Sequence, residues 1–406
     1  MDIKDIELVF EGDGLTKYGL FPLLTWFLMD VLELEKRCKI VTVKRKRNRD
    51  KTRDIKRRKT LFPAPKMCVG IVVVILLGIK RFERIRNVLH TETKIANMIG
   101  LKRFFDPVTV RNFINEFQLW HLRQLDRVNT DLLKDFGESF RQDFPVLDID
   151  MTTHSLESKK REGAIPGYNK KNKGKPCYQW SVGFIREEII SQALSNGNTH
   201  CSTKFEGIVE DVREKLDTTN FILRVDGGYL SAETLNYIVK NDLQVTITCQ
   251  FNYILAQKEN EIDFSKWFDH NEYTRLLDAG EVYVVSKCKH KFRVILVEQK
   301  QEKTEIDDGK KHKTKEIKKY AIVARLNAPS DPSAIYEFHH QRQTIENFFN
   351  EVKNPFNAGK MPSQKFRGNE AYLHLVTLAY NCFGIFKKTI CQRSGRENLL
   401  VQLRVS

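Results

Sequence analysis

No Cys-x-x-Cys pair occurs anywhere in the 406-residue sequence, although eight cysteines are present. Cys38, Cys68, Cys177, Cys201, Cys249, Cys288, Cys382 and Cys391 are scattered without the spacing that a zinc site or a disulfide framework requires. The scatter excludes both of those constructions and fits a reducing cytoplasm. Long apolar runs are also missing. The longest covers residues 68–79, bounded by Lys66 and Lys80, against the ~20 residues that a membrane-spanning helix needs. It is expected instead to be a buried helix or strand. The first residues, MDIKDIELVFEGDG, have neither the basic start nor the apolar core of a signal peptide. No internal repeat is evident. Acidic residues are in deficit, with 52 Asp and Glu against 68 Lys and Arg.

What is present follows from that deficit. Net charge is +16 and the pI is near 9.3. On a chain that is 41% hydrophobic and 10% aromatic, and therefore globular, such a surplus calls for a polyanionic partner. An anionic membrane surface is the weaker candidate, because no segment is built to enter one. Nucleic acid is the expected partner. At this length two or three domains are expected.

Residues 1–140 have helical spacing, clearest at 21–34 and 108–125. Between these stretches, residues 36–59 hold 14 Lys or Arg against only Asp50 and Asp54. A run so one-sided suits an arm that neutralises phosphates, with Lys44, Arg45, Lys46, Arg47, Arg57 and Arg58 as its candidates. The plainer alternative is a solvated linker. Asp106-Pro107 opens a further helical pattern with Arg111 near its start. That helix is either a recognition helix or one more member of a small bundle.

From about residue 145 the pattern becomes strands alternating with helices. Val146, Leu147, Ile149 and Met151 interleave with Asp148, Asp150 and Thr152, as in a half-polar strand. A basic, glycine-containing loop follows, with Lys170, Lys171 and Lys173. A strand pair is predicted at 179–184 and 187–193, a helix at 204–216, a strand at 221–225 ending on Asp226-Gly227-Gly228, a helix at 231–239 and a strand at 243–249. That order is the order of an RNase H-like α/β core. Strands at 281–288, 292–298 and 320–326 are predicted next, with the charged run 300–319 as an exposed loop. These make a β-rich insertion at 253–332 between the first part of the core, at 141–252, and a last helical part at 333–406. Trp267-Phe268 in the insertion could stack on a base or pack beneath a surface helix.

The last part begins with HHQRQTIENFFNEVK, residues 339–353, which has no Gly or Pro and is predicted to be one helix. On it His339, Arg342, Glu346, Phe349 and Lys353 share a stripe, and Ile345, Phe348 and Val352 form an apolar neighbour. One acid between bases suits a cation-and-phosphate site. It equally suits an ordinary surface pair of Arg and Glu.

Arg342-x3-Glu346-x6-Lys353 resembles the Y-x2-R-x3-E-x6-K signature of DDE transposases from bacterial insertion sequences, with His339 where the family has Tyr. Asp150 with Thr152 resembles the family's first-Asp strand, and Gly167-Tyr168-Asn169 with Gly174-Lys175 and Tyr178 its basic loop. Asp226-Gly227-Gly228-Tyr229 resembles its second-Asp strand end, residues 100–113 the segment before the catalytic domain, and Ala379-Tyr380-Asn381 its final helix. The resemblance implies a bacterial, nucleoid-associated enzyme that cuts element ends and transfers the strand into target DNA, acting as a homodimer. It implies Asp150, Asp226 and Glu346 as catalytic, metal-binding carboxylates. Two Mg²⁺ or Mn²⁺ ions suit such oxygen donors. It further implies phosphate contacts from Arg342, Lys353 and His339, and DNA-end recognition by residues 1–140. Asp148 shares a strand face with Asp150; the Asp150-x-Thr152 match favours Asp150 and leaves Asp148 as a partner. His154, His290, His339 and His340 fit no zinc spacing. The competing readings are a non-catalytic DNA-binding descendant of a transposase and an RNase H-like nuclease that cuts without joining.

Overall fold

A computed structural model describes residues 18–19, 21–43, 62–158, 160–169, 172–307, 310–327 and 331–391. The chain forms two compact units. One comprises residues 1–137, 160–162 and 351–406, the other residues 138–159 and 163–350. The second unit contains all the strands, and the first is helical. Residues 351–406 thus group with the amino-terminal helices, although the sequence pattern attached them to the α/β part.

In the helical unit the apolar run becomes the Ala64–Leu76 helix, buried along nearly its whole length. The Phe366–Phe386 helix is also buried on most sides, and it packs against the Leu119–Phe136, Ala64–Leu76 and Pro107–Asn115 helices. Asn381 donates its amide to Asn129 at 2.8 Å within that core, which satisfies two polar groups that burial would otherwise strand. The Pro107–Asn115 helix turns Val110, Phe113 and Ile114 inward, and Arg111 pairs with Glu83 at 2.7 Å. It is one more helix of the bundle. The single helix expected at 108–125 is two, separated at residues 116–118. Residues 160–162 are held by residues 361–366: Arg161 donates to the carbonyls of Met361 and Ser363, both at 2.6 Å.

The α/β unit is built on one sheet. Its strands are β1 (Val146–Ser155), β2 (Ile165–Pro166), β3 (Pro176–Ile185), β4 (Glu188–Asn196), β5 (Ile222–Val225), β6 (Gln244–Gln250), β7 (Phe268–Asn271), β8 (Thr274–Val282), β9 (Phe292–Asp307) and β10 (Lys310–Arg325). The order is β2-β3-β1-β5-β6-β10-β9-β8-β7, with β4 on β3. β1, β5 and β6 run parallel, and β3 is antiparallel to β1. β1 is central, so period 2 assigns its side chains to two covered faces: Leu147 and Ile149 on one, Asp148, Asp150, Thr152 and His154 on the other. Gly183 on β3 leaves room for the Phe205–Leu216 helix, because a Cβ there would meet Ile208 at 2.9 Å. Gly167 and Gly197 allow a closer approach still, since a Cβ on Gly167 would overlap the Gly197 carbonyl.

Two expectations change here. The strands at 253–332 do not stand apart from the core: β10 pairs antiparallel with β6 and carries β9, β8 and β7 outward in the same sheet. The charged run 300–319 is mostly strand, the outer part of the β9–β10 ribbon. Its register sets Lys310, Lys315 and Lys319 opposite Asp307, Glu302 and Glu298. Lys319 pairs with Glu298 at 2.8 Å, a cross-strand contact of the kind worth ~0.2–1 kcal/mol. The first strand of the predicted 281–288/292–298 hairpin lies earlier, at β8. Trp267 is buried, with Arg275 and Lys319 over its ring, which is the packing reading.

Candidate active site

Two acids converge on one arginine. Asp150 lies midway along β1, paired with Val182 of β3. Asp226 follows directly on the end of β5 and opens the single 3₁₀ turn Gly227–Tyr229. Arg342 donates from Nη1 to Asp150 Oδ2 at 3.1 Å, and its Nη2 lies 3.8 Å from Asp226 Oδ1. The other Asp150 oxygen accepts the Met151 N–H at 2.7 Å. Asp150 is mostly buried, whereas Asp226 is 53% exposed. Burial lifts the Asp150 pKa to about 6; Arg342 and the Met151 N–H oppose the rise and the Asp226 charge adds to it.

The two acids of β1 have different surroundings. Asp148 is buried, and Arg224 grips it with two bonds, Nε to Oδ1 at 2.8 Å and Nη2 to Oδ2 at 2.7 Å. Burial pushes the Asp148 carboxyl up and Arg224 holds it down. Both of its oxygens are occupied by a buried cation. Asp150 holds Arg342 by one oxygen and the Met151 N–H by the other, and it is the more exposed of the two acids.

The helix expected at 339–353 is broken. It is the Pro332–His340 helix, then Gln341 and Arg342 in a turn, then the Gln343–Lys353 helix. Arg342 consequently lies off any stripe shared with His339. Glu346 is on the second helix, and Lys353 is its last residue. Ile345, Phe348 and Val352 are buried as expected, but Phe349 is buried too. Phe348 and Phe349 both meet Trp180 of β3, at 6.3 Å between ring centroids.

His339 was expected to contact a phosphate. It is buried, and its ring lies between two threonines of β6, with Nδ1 2.9 Å from Thr246 Oγ1 and Nε2 2.9 Å from Thr248 Oγ1. Burial and the nearby Arg342, His340 and Arg224 lower its pKa to about 3. A neutral ring with both nitrogens engaged is not offered to a phosphate. Lys173 is exposed on the loop before β3. Lys44, Arg45, Lys46, Arg47, Arg57, Arg58, Lys170 and Lys171 lie outside the described residues.

Sequence reasoning gave no role of their own to Arg224, Thr246, Thr248 and Tyr229. The available signal was a charge inside the four-residue strand Ile222–Val225, which has no solvent to face. Tyr229 is buried, and its hydroxyl has no hydrogen-bond partner among the described residues. Burial and then the charges of Asp150, Cys201 and Asp226 hold its pKa well above the ordinary tyrosine range. A buried hydroxyl left unpaired beside two acids suits a site completed by an oxygen from outside the chain, such as a water or a phosphate. The donor set is equally suited to a hard cation: oxygen donors only, with a surplus of negative charge that burial makes costly. Among the described residues no three His, Cys, Asp or Glu side chains gather as a metal cluster. No helix among them is long and apolar enough to cross a membrane. Cys38, Cys68, Cys177, Cys201, Cys249, Cys288 and Cys382 are free and buried.

No protein of curated function matches the chain. Among solved structures, the Mos1 transposase in its paired-end complex with the left transposon end shows 9% identity and a TM-score of 0.20. The alignment covers 57% of this chain and 78% of that one, a likeness too slight to bear on the site. The family described as Transposase DDE domain group 1 matches residues 78–405. With well over half of its length matched, the chain belongs to the group 1 DDE-domain transposases.

Proposed function

We propose that this transposase cuts DNA at the ends of its element and joins the freed strand to target DNA, with Asp150, Asp226 and Glu346 as catalytic carboxylates. The observation that carries the reading is the convergence of Asp150 and Asp226, from two adjacent parallel strands, on Arg342. The order β4-β3-β1-β5-β6, with only β3 running against the other four, supports an RNase H-like core.

Asp150 and Asp226 would hold Mg²⁺ or Mn²⁺, with Glu346 as the third ligand. Two such ions activate an attacking oxygen and stabilise the leaving one across an in-line phosphorus. Arg342 has a guanidinium that fits phosphate as well as carboxylate, so it would pass from Asp150 to the DNA backbone when a substrate arrives. Asp150, with its pKa near 6, is mostly ionised at neutral pH and ready to hold a cation. Lys353, Lys170, Lys171, Lys173 and the 44–58 run would neutralise backbone charge. The partner is double-stranded DNA, and the active complex is a homodimer.

The test uses a duplex carrying the inverted repeat that flanks the gene. Asp150→Ala, Asp226→Ala and Glu346→Ala should each abolish cleavage and joining while leaving binding of the duplex nearly intact. The three acids build one site, so each single loss should cost nearly as much as all three. Unmodified protein that binds the ends without cutting them in Mg²⁺ or Mn²⁺, or that cuts equally in excess chelator, overturns the reading. Cutting without joining would reduce it to a nuclease.

A further inference from the structure

Three adjacent strands place one polar row beneath the site. Asp148 of β1 is in register with Arg224 of β5, and Arg224 with Thr246 of β6. Asp150, Asp226 and Thr248 each follow two residues later on their own segments, one pleat further along. The lower row is closed: Arg224 holds Asp148, and His339 rests on Thr246. Arg224 has one nitrogen left, and Nη1 donates to the Phe338 carbonyl at 2.9 Å and to Gln341 Oε1 at 3.3 Å. Its guanidinium also lies over the Phe338 ring, 5.1 Å from the centroid.

The Phe338 carbonyl is the group that decides where the helix ends. In an unbroken helix it would accept the N–H four residues on, that of Arg342. Arg224 takes that carbonyl instead, and the Arg342 N–H donates to His339 O at 3.1 Å. A cation at a helix carboxyl end is favourable for the dipole and satisfies an orphan carbonyl. Nothing in residues 339–353 breaks a helix by itself, so the break is imposed from the sheet. It falls immediately before the residue that must leave the helical course to reach Asp150 and Asp226.

We infer that Arg224, clamped by Asp148, is a positioning residue that ends the Pro332–His340 helix and thereby aims Arg342 at the two catalytic acids. Asp148 and Arg224 touch neither substrate nor cation and act only through Arg342. This rests on the function proposed above. Without the clamp the Phe338 carbonyl recovers the Arg342 N–H, the two helices join, and Arg342 rotates away.

The test is a set of variants measured for thermal melting, cleavage rate and affinity on the inverted-repeat duplex. Arg224→Lys keeps the buried charge but cannot serve Asp148 and Phe338 together. The pair Asp148→Leu with Arg224→Met removes both charges at similar volume, a change buried ion pairs often tolerate. Each should retain a cooperative melt and lose cleavage by about as much as Arg342→Ala, roughly a hundredfold for a misplaced contact. Adding Arg342→Ala to either should cost nothing more, because the residues act through one contact. Wild-type cleavage in Arg224→Lys, or losses that multiply with Arg342→Ala, overturns the inference; if the double variant fails to fold, Arg224→Lys alone decides. Asp150→Ala separates the two questions. A dead Asp150→Ala beside fully active clamp variants refutes the clamp and leaves the proposed function standing, whereas an active Asp150→Ala refutes that function.

Discussion

Asp148 and Asp150 are chemically identical, share one face of β1 and are two residues apart, yet their neighbours assign them different work. Asp148 is closed by Arg224 on both oxygens. Asp150 meets Arg342 on one oxygen and the charge of Asp226 nearby, and burial raises its pKa to about 6. Its folded-state value lies above the ordinary 3.8, so the native state keeps a proton that the unfolded chain has already lost between pH 4 and 6. The contribution of Asp150 to stability therefore falls as pH rises through that window. Above it the metal-free protein carries an uncompensated cost of roughly 2–3 kcal/mol. Asp150→Asn should then be more stable than wild type by up to about that amount at pH 8, with the two curves meeting near pH 4. Urea melts across the range would show it, and a gap that did not change with pH would refute it. Saturating Mn²⁺ should narrow the gap at pH 8, because only the wild-type carboxylate gains from it.

The elements show where sequence periodicity suffices and where it stops. β1, the β3–β4 pair and β5 were legible because period 2 and the acids interrupting apolar runs are local signals. Asp150 and Asp226 were singled out by their resemblance to the family's two Asp segments, since period 2 alone puts Asp148 and Asp150 on the same face. The break at Gln341–Arg342 was not legible, since its cause is Arg224, 114 residues from Phe338 along the chain. The outer β9–β10 ribbon was missed because it pairs with a partner strand, a relation that one strand's own periodicity does not report. His339 was read as a phosphate contact because a histidine in a basic segment reads as a cation until its partners on β6 are known. The element-scale prediction follows from those partners. His339→Ala leaves the Thr246 and Thr248 hydroxyls without their ring partner, and should cost roughly 1–3 kcal/mol in stability. The native His339 resists protonation to about pH 3, whereas an unfolded histidine takes a proton near 6.5. Its stabilising contribution is therefore full above pH 6.5 and lost on acidification, so the gap between wild type and His339→Ala should narrow as pH falls. Affinity for DNA and its dependence on salt should stay the same. Weaker, less salt-sensitive binding with unchanged stability would return His339 to the phosphate role.

At the scale of the molecule, charge and architecture divide the labour of a transposase. Exposed polar surface on a chain of net charge +16 attracts any DNA, whereas the buried row beneath Asp150 and Asp226 serves one geometry. The first is a long-range field and the second a short-range fit, and they respond to different perturbations. Salt screens the field over ~8–10 Å near physiological strength and leaves Arg224 on Asp148 almost untouched. The strongest local source in the sequence is the run at 36–59, with its 14 basic residues against two acids. If that run neutralises phosphates, each lost contact should reduce the slope of log affinity against log salt by about 0.9. Replacing Lys44, Arg45, Lys46, Arg47, Arg57 and Arg58 by Gln should therefore weaken DNA binding and flatten its salt dependence together. Once the DNA is saturated, the cleavage rate should be close to wild type, because a run that only neutralises phosphates acts on binding and not on the chemical step. Titrating a labelled duplex at several salt concentrations, then measuring single-turnover cleavage, separates the two quantities. An unchanged slope would mark the run as a solvated linker, and a cleavage rate that fell at saturation would mean that the run also orders the active complex.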